Sequence, residues 1–158
     1  MTDLSQDKKE VIIDLLEINM KKLYEESEWG WNAKNKRDEM LDDHAWYLLA
    51  EKPDGTLVAF SHFRFDMDYD DEVLYVYEIQ VDPTYQRKGL GRFMMQVLEL
   101  LGNADIYSII FNTTWIMPCN LPSMRAFKTH WFYSDASKFR KMRHVILVVN
   151  WSTLGGIH

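Results

Sequence analysis

Residues 73–81 read Val-Leu-Tyr-Val-Tyr-Glu-Ile-Gln-Val, a run dense in β-branched and aromatic residues that ends at Asp82-Pro83. Shortly after it comes Gln86-Arg87-Lys88-Gly89-Leu90-Gly91, and residues 92–101 return to helical spacing. A strand, a glycine turn and a helix start, in that order, leave few architectures open. Two glycines one residue apart let the backbone curl with its N–H groups pointing inward, and the following helix adds the partial positive charge of its N-terminus. Such a turn can cradle a phosphate, here most naturally a pyrophosphate.

Upstream, residues 7–28 carry Val11, Ile12, Leu15, Leu16, Ile18, Met20 and Leu23 mostly three or four apart, which predicts an amphipathic helix with one core face. Glu28-Trp29-Gly30-Trp31-Asn32 breaks it, and residues 34–43 predict a short, highly charged second helix. Residues 45–51 and 56–65 predict strands joined by Pro53-Asp54-Gly55, a hairpin signal. Residues 66–72, mostly Asp and Glu, read as an acidic connection to the strand at 73–81. Residues 107–111 predict a strand parallel to it, 121–129 a helix opening at Pro122, and 145–149 a final buried strand. This order predicts one α/β (α+β) domain over residues 1–158, a mixed, mostly antiparallel central sheet flanked by helices.

A chain of 158 residues with 47% apolar and 14% aromatic content supports one core rather than two. Its net charge of −6 argues against direct nucleic-acid binding and suits a basic ligand better. Cys119 is the only cysteine, so neither an intramolecular disulfide nor a cysteine-based zinc site can form. His44 and His62 lack partners at metal-ligand spacing, and no metal is expected. No apolar run reaches the roughly 18 residues of a membrane span, residues 1–10 are too polar for a signal peptide, and Met1-Thr2 lacks the glycine that myristoylation needs. A soluble intracellular protein with no membrane partner is expected.

Glu78 lies inside the apolar strand run, where strict alternation puts Tyr75, Tyr77, Ile79 and Val81 on one face and Leu74, Val76, Glu78 and Gln80 on the other. Burial would raise its pKa toward neutrality and fit it to take a proton from an amine. The competing reading is an exposed glutamate on a half-solvated strand. If the strand splays from its parallel neighbour before the glycine turn, backbone N–H groups near Ile79 and Val81 are freed to hold a carbonyl and an amide chain.

Glu78 in its strand, then Gln86-Arg87-Lys88-Gly89-Leu90-Gly91, then a helix, then Asn120 before another helix, resembles the acetyl-CoA arrangement of the GNAT acetyltransferases. The segments Tyr24-Glu25-Glu26-Ser27-Glu28-Trp29-Gly30-Trp31, Arg37-Asp38-Glu39-Met40, Asp42-Asp43-His44-Ala45-Trp46-Tyr47-Leu48, Ala59-Phe60-Ser61-His62-Phe63-Arg64-Phe65-Asp66 and Glu72-Val73-Leu74-Tyr75 resemble, within that family, the NatD group of N-alpha-acetyltransferases. The resemblance is close over residues 11–103 and looser over 104–158, a divergent C-terminal part of the same domain. It implies a GNAT fold whose sheet splays at the acetyl-CoA strand. It also implies transfer of acetyl from acetyl-CoA to the α-amine of histones 2A and 4, which begin Ser-Gly-Arg-Gly.

By the same resemblance Glu78 is the general base, with Tyr77 beside it as a second catalytic position. Ile79, Gln80, Val81, Gln86, Arg87, Lys88, Gly89, Leu90, Gly91 and Asn120 would hold acetyl-CoA. Tyr24, Trp29, Tyr75, Tyr77 and Thr113 would surround the acceptor's first residues, while Asp66 and Asp68 would hold its arginine. The group has Glu where this chain has Asp68, one methylene shorter. Many GNAT proteins place a tyrosine, able to protonate the departing thiolate, where this chain has Ala126-Phe127; Tyr133, six residues beyond Phe127, does not replace it. The resemblance further implies a monomer without auxiliary subunit, in nucleus and cytoplasm. A lysine or small-amine acetyltransferase, or a histone-tail binder with impaired catalysis, remain alternatives. From pattern alone Trp29 and Trp31 read as a staple between two helices, and Met94 and Met95 as core.

Overall fold

The computed structural model describes residues 4–104, 108–111 and 146–150. Three helices, α1 (Gln6–Glu25), α2 (Ala33–Met40) and α3 (Leu90–Ala104), flank a sheet of β1 (Trp46–Glu51), β2 (Leu57–Asp68), β3 (Asp71–Val81), β4 (Ser108–Phe111) and β5 (Ile146–Asn150). The strand order is β4-β3-β2-β1-β5. Pairing is antiparallel between β1 and β2 and between β2 and β3, and parallel at both edges, as expected for the strand at 107–111. Thr113, Asn120, Phe127, Tyr133 and the helix expected at 121–129 lie outside the described residues.

Local chemistry explains the first two helices. Ser5 Oγ accepts a hydrogen bond from the Lys8 N–H and caps α1, which buries Ile12, Leu15, Leu16, Met20 and Tyr24 along one stripe. The chain leaves α1 earlier than residue 28 and turns at Gly30, whose φ of +64° favours glycine. Asn32 Oδ1 then accepts from the Asn35 N–H and starts α2. That helix buries only Met40, so polar contacts fix it instead. Arg37 pairs with Glu10 of α1, the Tyr47 hydroxyl donates to the Met40 carbonyl, and Arg64 Nη2 donates to the Glu39 carbonyl at 2.9 Å.

The sheet carries a different core on each side. Ile12, Leu16, Met20, Met40, Tyr47, Leu49 and Phe60 pack together beneath α1 and α2. Leu48, Phe63, Leu74, Val76, Leu90, Met94 and Leu98 pack on the α3 side, with Ile79 and Val81 joining them. Met94 is core as expected, and Met95 is half-buried.

Two expectations need correction. The acidic stretch is mostly strand, not a free connection: β2 runs through Asp68 and pairs Asp66 with Val73 and Asp68 with Asp71, leaving a tight turn at Tyr69 and Asp70. Strict alternation in β3 also fails. His62 pairs with Glu78 but Phe63 pairs with Val76, so Tyr77 is an extra residue opposite the His62/Phe63 step, a β-bulge. The bulge shifts the phase by one residue. Leu74 and Val76 before it and Ile79 and Val81 after it all reach the α3 core, while Tyr75, Tyr77, Glu78 and Gln80 share the α1–α2 side.

Candidate active site

The bulged segment places Glu78 under α2, 2% exposed, which discards the reading of a solvated strand carboxylate. Gln80 Nε2 donates to Glu78 Oε2 at 2.8 Å, and Asn19 Nδ2 of α1 donates to both Gln80 Oε1 and the Val81 carbonyl at 3.0 Å. Ser61 Oγ donates to the Glu78 carbonyl at 2.9 Å. On the other side Lys36 Nζ lies 2.8 Å from Glu78 Oε1 and 2.9 Å from Glu39 Oε1, with the Tyr24 ring centroid 5.4 Å away. The Lys36 contact is an ion pair, and Oε1 accepts no hydrogen bond of good geometry.

Burial pushes the Glu78 carboxyl above the usual carboxylate range, with Lys36 and Gln80 pulling the other way. Burial works against the charge on Lys36, but Glu78 and Glu39 outweigh it and hold the ammonium above its ordinary pKa. Two carboxylates and one ammonium therefore share the pocket, and a proton leaving a nearby amine finds Glu78 more receptive than a solvated carboxylate.

Aromatic rings continue from Glu78 along the same sheet face. Tyr77 stacks on His62 at 5.1 Å and meets Tyr75 at 4.7 Å, and His62 stacks in turn on Tyr47 at 5.4 Å. The Arg64 guanidinium covers Tyr77 at 4.9 Å and is held by Glu39 and, at 3.5 Å, by Asp42. Burial raises the Tyr77 and Tyr24 hydroxyl pKa values. Asp66 and Asp68 follow Arg64 at two-residue steps along β2, on the same side and near the hairpin tip. The two tryptophans separate: Trp31 packs edge-on against Tyr24 at 5.4 Å, as a staple would, while Trp29 stands 66% exposed.

At the other end of β3, Pro83–Tyr85 forms a 3₁₀ turn and Gln86 Nε2 donates to the Val81 carbonyl at 3.1 Å. Arg87 and Gly89 take left-handed φ values of 59° and 84°, with Lys88 between them, and α3 begins at Leu90, two residues earlier than the spacing predicts. Alternating handedness turns successive N–H groups toward one concavity, and α3 adds the partial positive charge of its N-terminus at Leu90 and Gly91. A Cβ built on Gly89 meets nothing within 4 Å, so open space faces the turn. Two of the expected cofactor residues have their side chains engaged elsewhere: Leu90 is core, and Gln80 hydrogen-bonds Glu78. Among the described residues the β3–β4 pairing stops at Val76 and Phe111, so no β4 partner faces residues 77–81.

Comparison with known proteins agrees with this geometry. Residues 12–131 match the acetyltransferase (GNAT) family. The chain belongs to that family. Its GNAT fold is similar to that of a ribosomal-protein-alanine N-acetyltransferase from Brucella melitensis (TM-score 0.51, 19% identity, 69% of this chain and 76% of that one). An aminoglycoside 6′-N-acetyltransferase from Acinetobacter haemolyticus is also similar (TM-score 0.53, 16% identity, 72% and 79%), as is a Pyrococcus furiosus protein (TM-score 0.56, 14% identity, 82% and 93%). At these identities the likeness speaks for the fold. As a GNAT acetyltransferase the protein uses acetyl-CoA, and the turn at 86–91 suits a pyrophosphate by its left-handed residues, the positive end of α3 and the open space at Gly89.

Sequence reasoning missed Lys36, Glu39, Asn19 and Arg64. Lys36, Glu39 and Asn19 are polar residues on charged or helical stretches whose pattern reads as solvated surface, while Arg64 is a lone cation in an aromatic strand; only the packing of α1 and α2 onto the sheet brings the four together. Among the described residues no group of three or more His, Cys, Asp or Glu is arranged to hold a metal, and no helix is long and apolar enough to cross a membrane.

Proposed function

We propose that this GNAT enzyme acetylates the α-amine of proteins beginning Ser-Gly-Arg-Gly, with the tails of histones 2A and 4 as partners met in nucleus and cytoplasm. The observation that carries the reading is one continuous sheet face leading from buried Glu78 past Tyr77 and Tyr75 to Asp66 and Asp68. Asp66 lies four β2 residues from His62, the partner of Glu78, or about 13 Å along the strand. An extended acceptor with its amine at Glu78 brings residue three about 7 Å along that path, and the arginine side chain spans the remainder. Acidic groups at that reach suit a guanidinium.

Glu78 Oε1 is the atom placed to take the proton of the acceptor ammonium, whose ordinary pKa near 8 keeps it charged and unreactive until then. Acetyl-CoA would supply the thioester carbonyl carbon that the neutral amine attacks, the C–S bond breaking and CoA leaving as a thiolate, whose ordinary pKa near 8.5 lets it take a proton from solvent. Gln80 and Asn19 fix the carboxylate so that Oε1 alone faces the incoming group. The tyrosines line the way with rigid rings and favour a small residue at position two.

Acetyl transfer to Ser-Gly-Arg-Gly peptides, compared with peptides blocked at the α-amine but free at lysine, tests the acceptor. Transfer to the free α-amine is expected, and transfer to the blocked peptide alone overturns the reading in favour of a lysine acceptor. Glu78→Gln should keep CoA affinity and lower turnover by about 10²; unchanged turnover would remove Glu78 from the chemistry.

A further inference from the structure

The Lys36 side chain is only 11% exposed, and its ammonium stands against the one Glu78 oxygen that accepts no hydrogen bond. The surroundings of Nζ are those any acceptor ammonium would need: Glu78 Oε1 at 2.8 Å, Glu39 Oε1 at 2.9 Å and the face of Tyr24 at 5.4 Å. The other Glu78 oxygen is tied to Gln80, itself tied to Asn19, so the carboxylate cannot turn a second oxygen to a newcomer without breaking that chain. An amine that hands its proton to Glu78 must therefore stand where Lys36 stands.

We propose that Lys36 is a resident occupant of the acceptor's ammonium seat, an autoinhibitory contact that the acceptor displaces by exchange. The inference rests on Glu78 being the base and not on which amine is acetylated. Exchange is economical in charge: one ammonium leaves two carboxylates as another arrives, so the pocket never holds Glu78 and Glu39 without a cation. Lys36 has a long unbranched stem on an eight-residue helix held by polar contacts, so its head can swing outward while α2 stays seated. With no acceptor bound, the same lysine favours the ionised form of Glu78 against the effect of burial and screens it from water. It is a positioning residue, acting through Glu78.

A seat filled nine-tenths of the time by Lys36 raises the apparent acceptor constant about ten-fold. Steady-state kinetics of Lys36→Met with the Ser-Gly-Arg-Gly peptide should therefore show KM for the peptide falling about ten-fold on the high-pH plateau, more than any change in kcat. The acid limb of kcat/KM should also move to higher pH. Without Lys36, Glu78 faces Glu39 from α2, Tyr24 from α1, His62 from β2 and Gln80 on its own strand, none of them a cation. A peptide KM unchanged or raised on the plateau overturns the proposal and makes the pair structural.

Should wild type leave that peptide unacetylated, the acceptor assignment fails separately. The seat is then read from acceptor-free hydrolysis of acetyl-CoA, which should rise several-fold in Lys36→Met and whose constancy overturns it. If the variant does not fold, wild type decides. Reductive methylation of Lys36, mapped by mass spectrometry, should be slow in the free protein. It should speed up severalfold when an N-terminally dimethylated Ser-Gly-Arg-Gly peptide or trimethylammonium, tertiary cations that take no further methyl by this chemistry, is added in excess with CoA. No acceleration by either probe overturns exchange.

Discussion

Individual side chains in this protein gain their properties from what is stacked on them. His62, which has no partner at metal-ligand spacing in the sequence, is fully buried between Tyr47 and Tyr77 with neither ring nitrogen hydrogen-bonded. Burial, reinforced by the Arg64 and Lys36 charges, drives its pKa down to about 3. Because the unfolded chain takes up a proton near pH 6.5 and the folded one does not, stability must fall as pH drops below that value toward the folded pKa. Between pH 7 and 5 this one residue should cost about 2 kcal/mol. Urea unfolding of His62→Phe, which keeps a stacked ring without titrating, should show that much less acid loss than wild type; equal acid loss in both would place the titration elsewhere. Glu78 was legible as a candidate because a carboxylate in an apolar strand is unusual, but its lysine partner was not, since Lys36 belongs to a stretch with no apolar pattern.

At the scale of elements, two backbone irregularities do most to shape the site. The glycine turn was legible as a turn because two glycines one residue apart follow a strand and precede helical spacing, and Gly89 takes a left-handed φ there. Gly89→Ala meets no protein atom, so its effect reports backbone conformation: about 1 kcal/mol of destabilisation and weaker CoA binding, with the acceptor KM little changed. Thermal melting with calorimetric CoA titration checks both, and unaltered CoA affinity would show that the turn is not the pyrophosphate cradle. The bulge at Tyr77 was not legible. A period-two pattern with one extra residue looks, in a nine-residue run of apolar and aromatic side chains, much like an unbroken strand. Its consequence is large, since without it Tyr75 and Glu78 would face opposite sides of the sheet.

Across the whole molecule the two faces of the sheet differ, α3 and its core backing the glycine turn and the α1–α2 side carrying Glu78 and the proposed acceptor path. The net charge of −6 finds a local expression at the β2–β3 tip, where a basic acceptor would be drawn. Asp66→Asn should raise KM for the Ser-Gly-Arg-Gly peptide about five-fold at low salt and less at high salt, as an exposed ion pair worth about 1 kcal/mol would. Asp68→Asn, about 20 Å along β2 from the Glu78 row, should have the smaller effect. A larger effect at Asp68, measured in the same assay, would shift the arginine site outward. The sequence by itself determined the strand–turn–helix unit with its left-handed glycine, the hairpins and Glu78 as a candidate base, because local periodicity and glycine stereochemistry are properties of neighbouring residues. Only the tertiary structure decided which residues face Glu78. That depended on a one-residue register shift between β2 and β3, and on α2 being held by Arg37, Tyr47 and Arg64 rather than by an apolar stripe. Contacts between residues tens of positions apart leave no periodic mark in the chain.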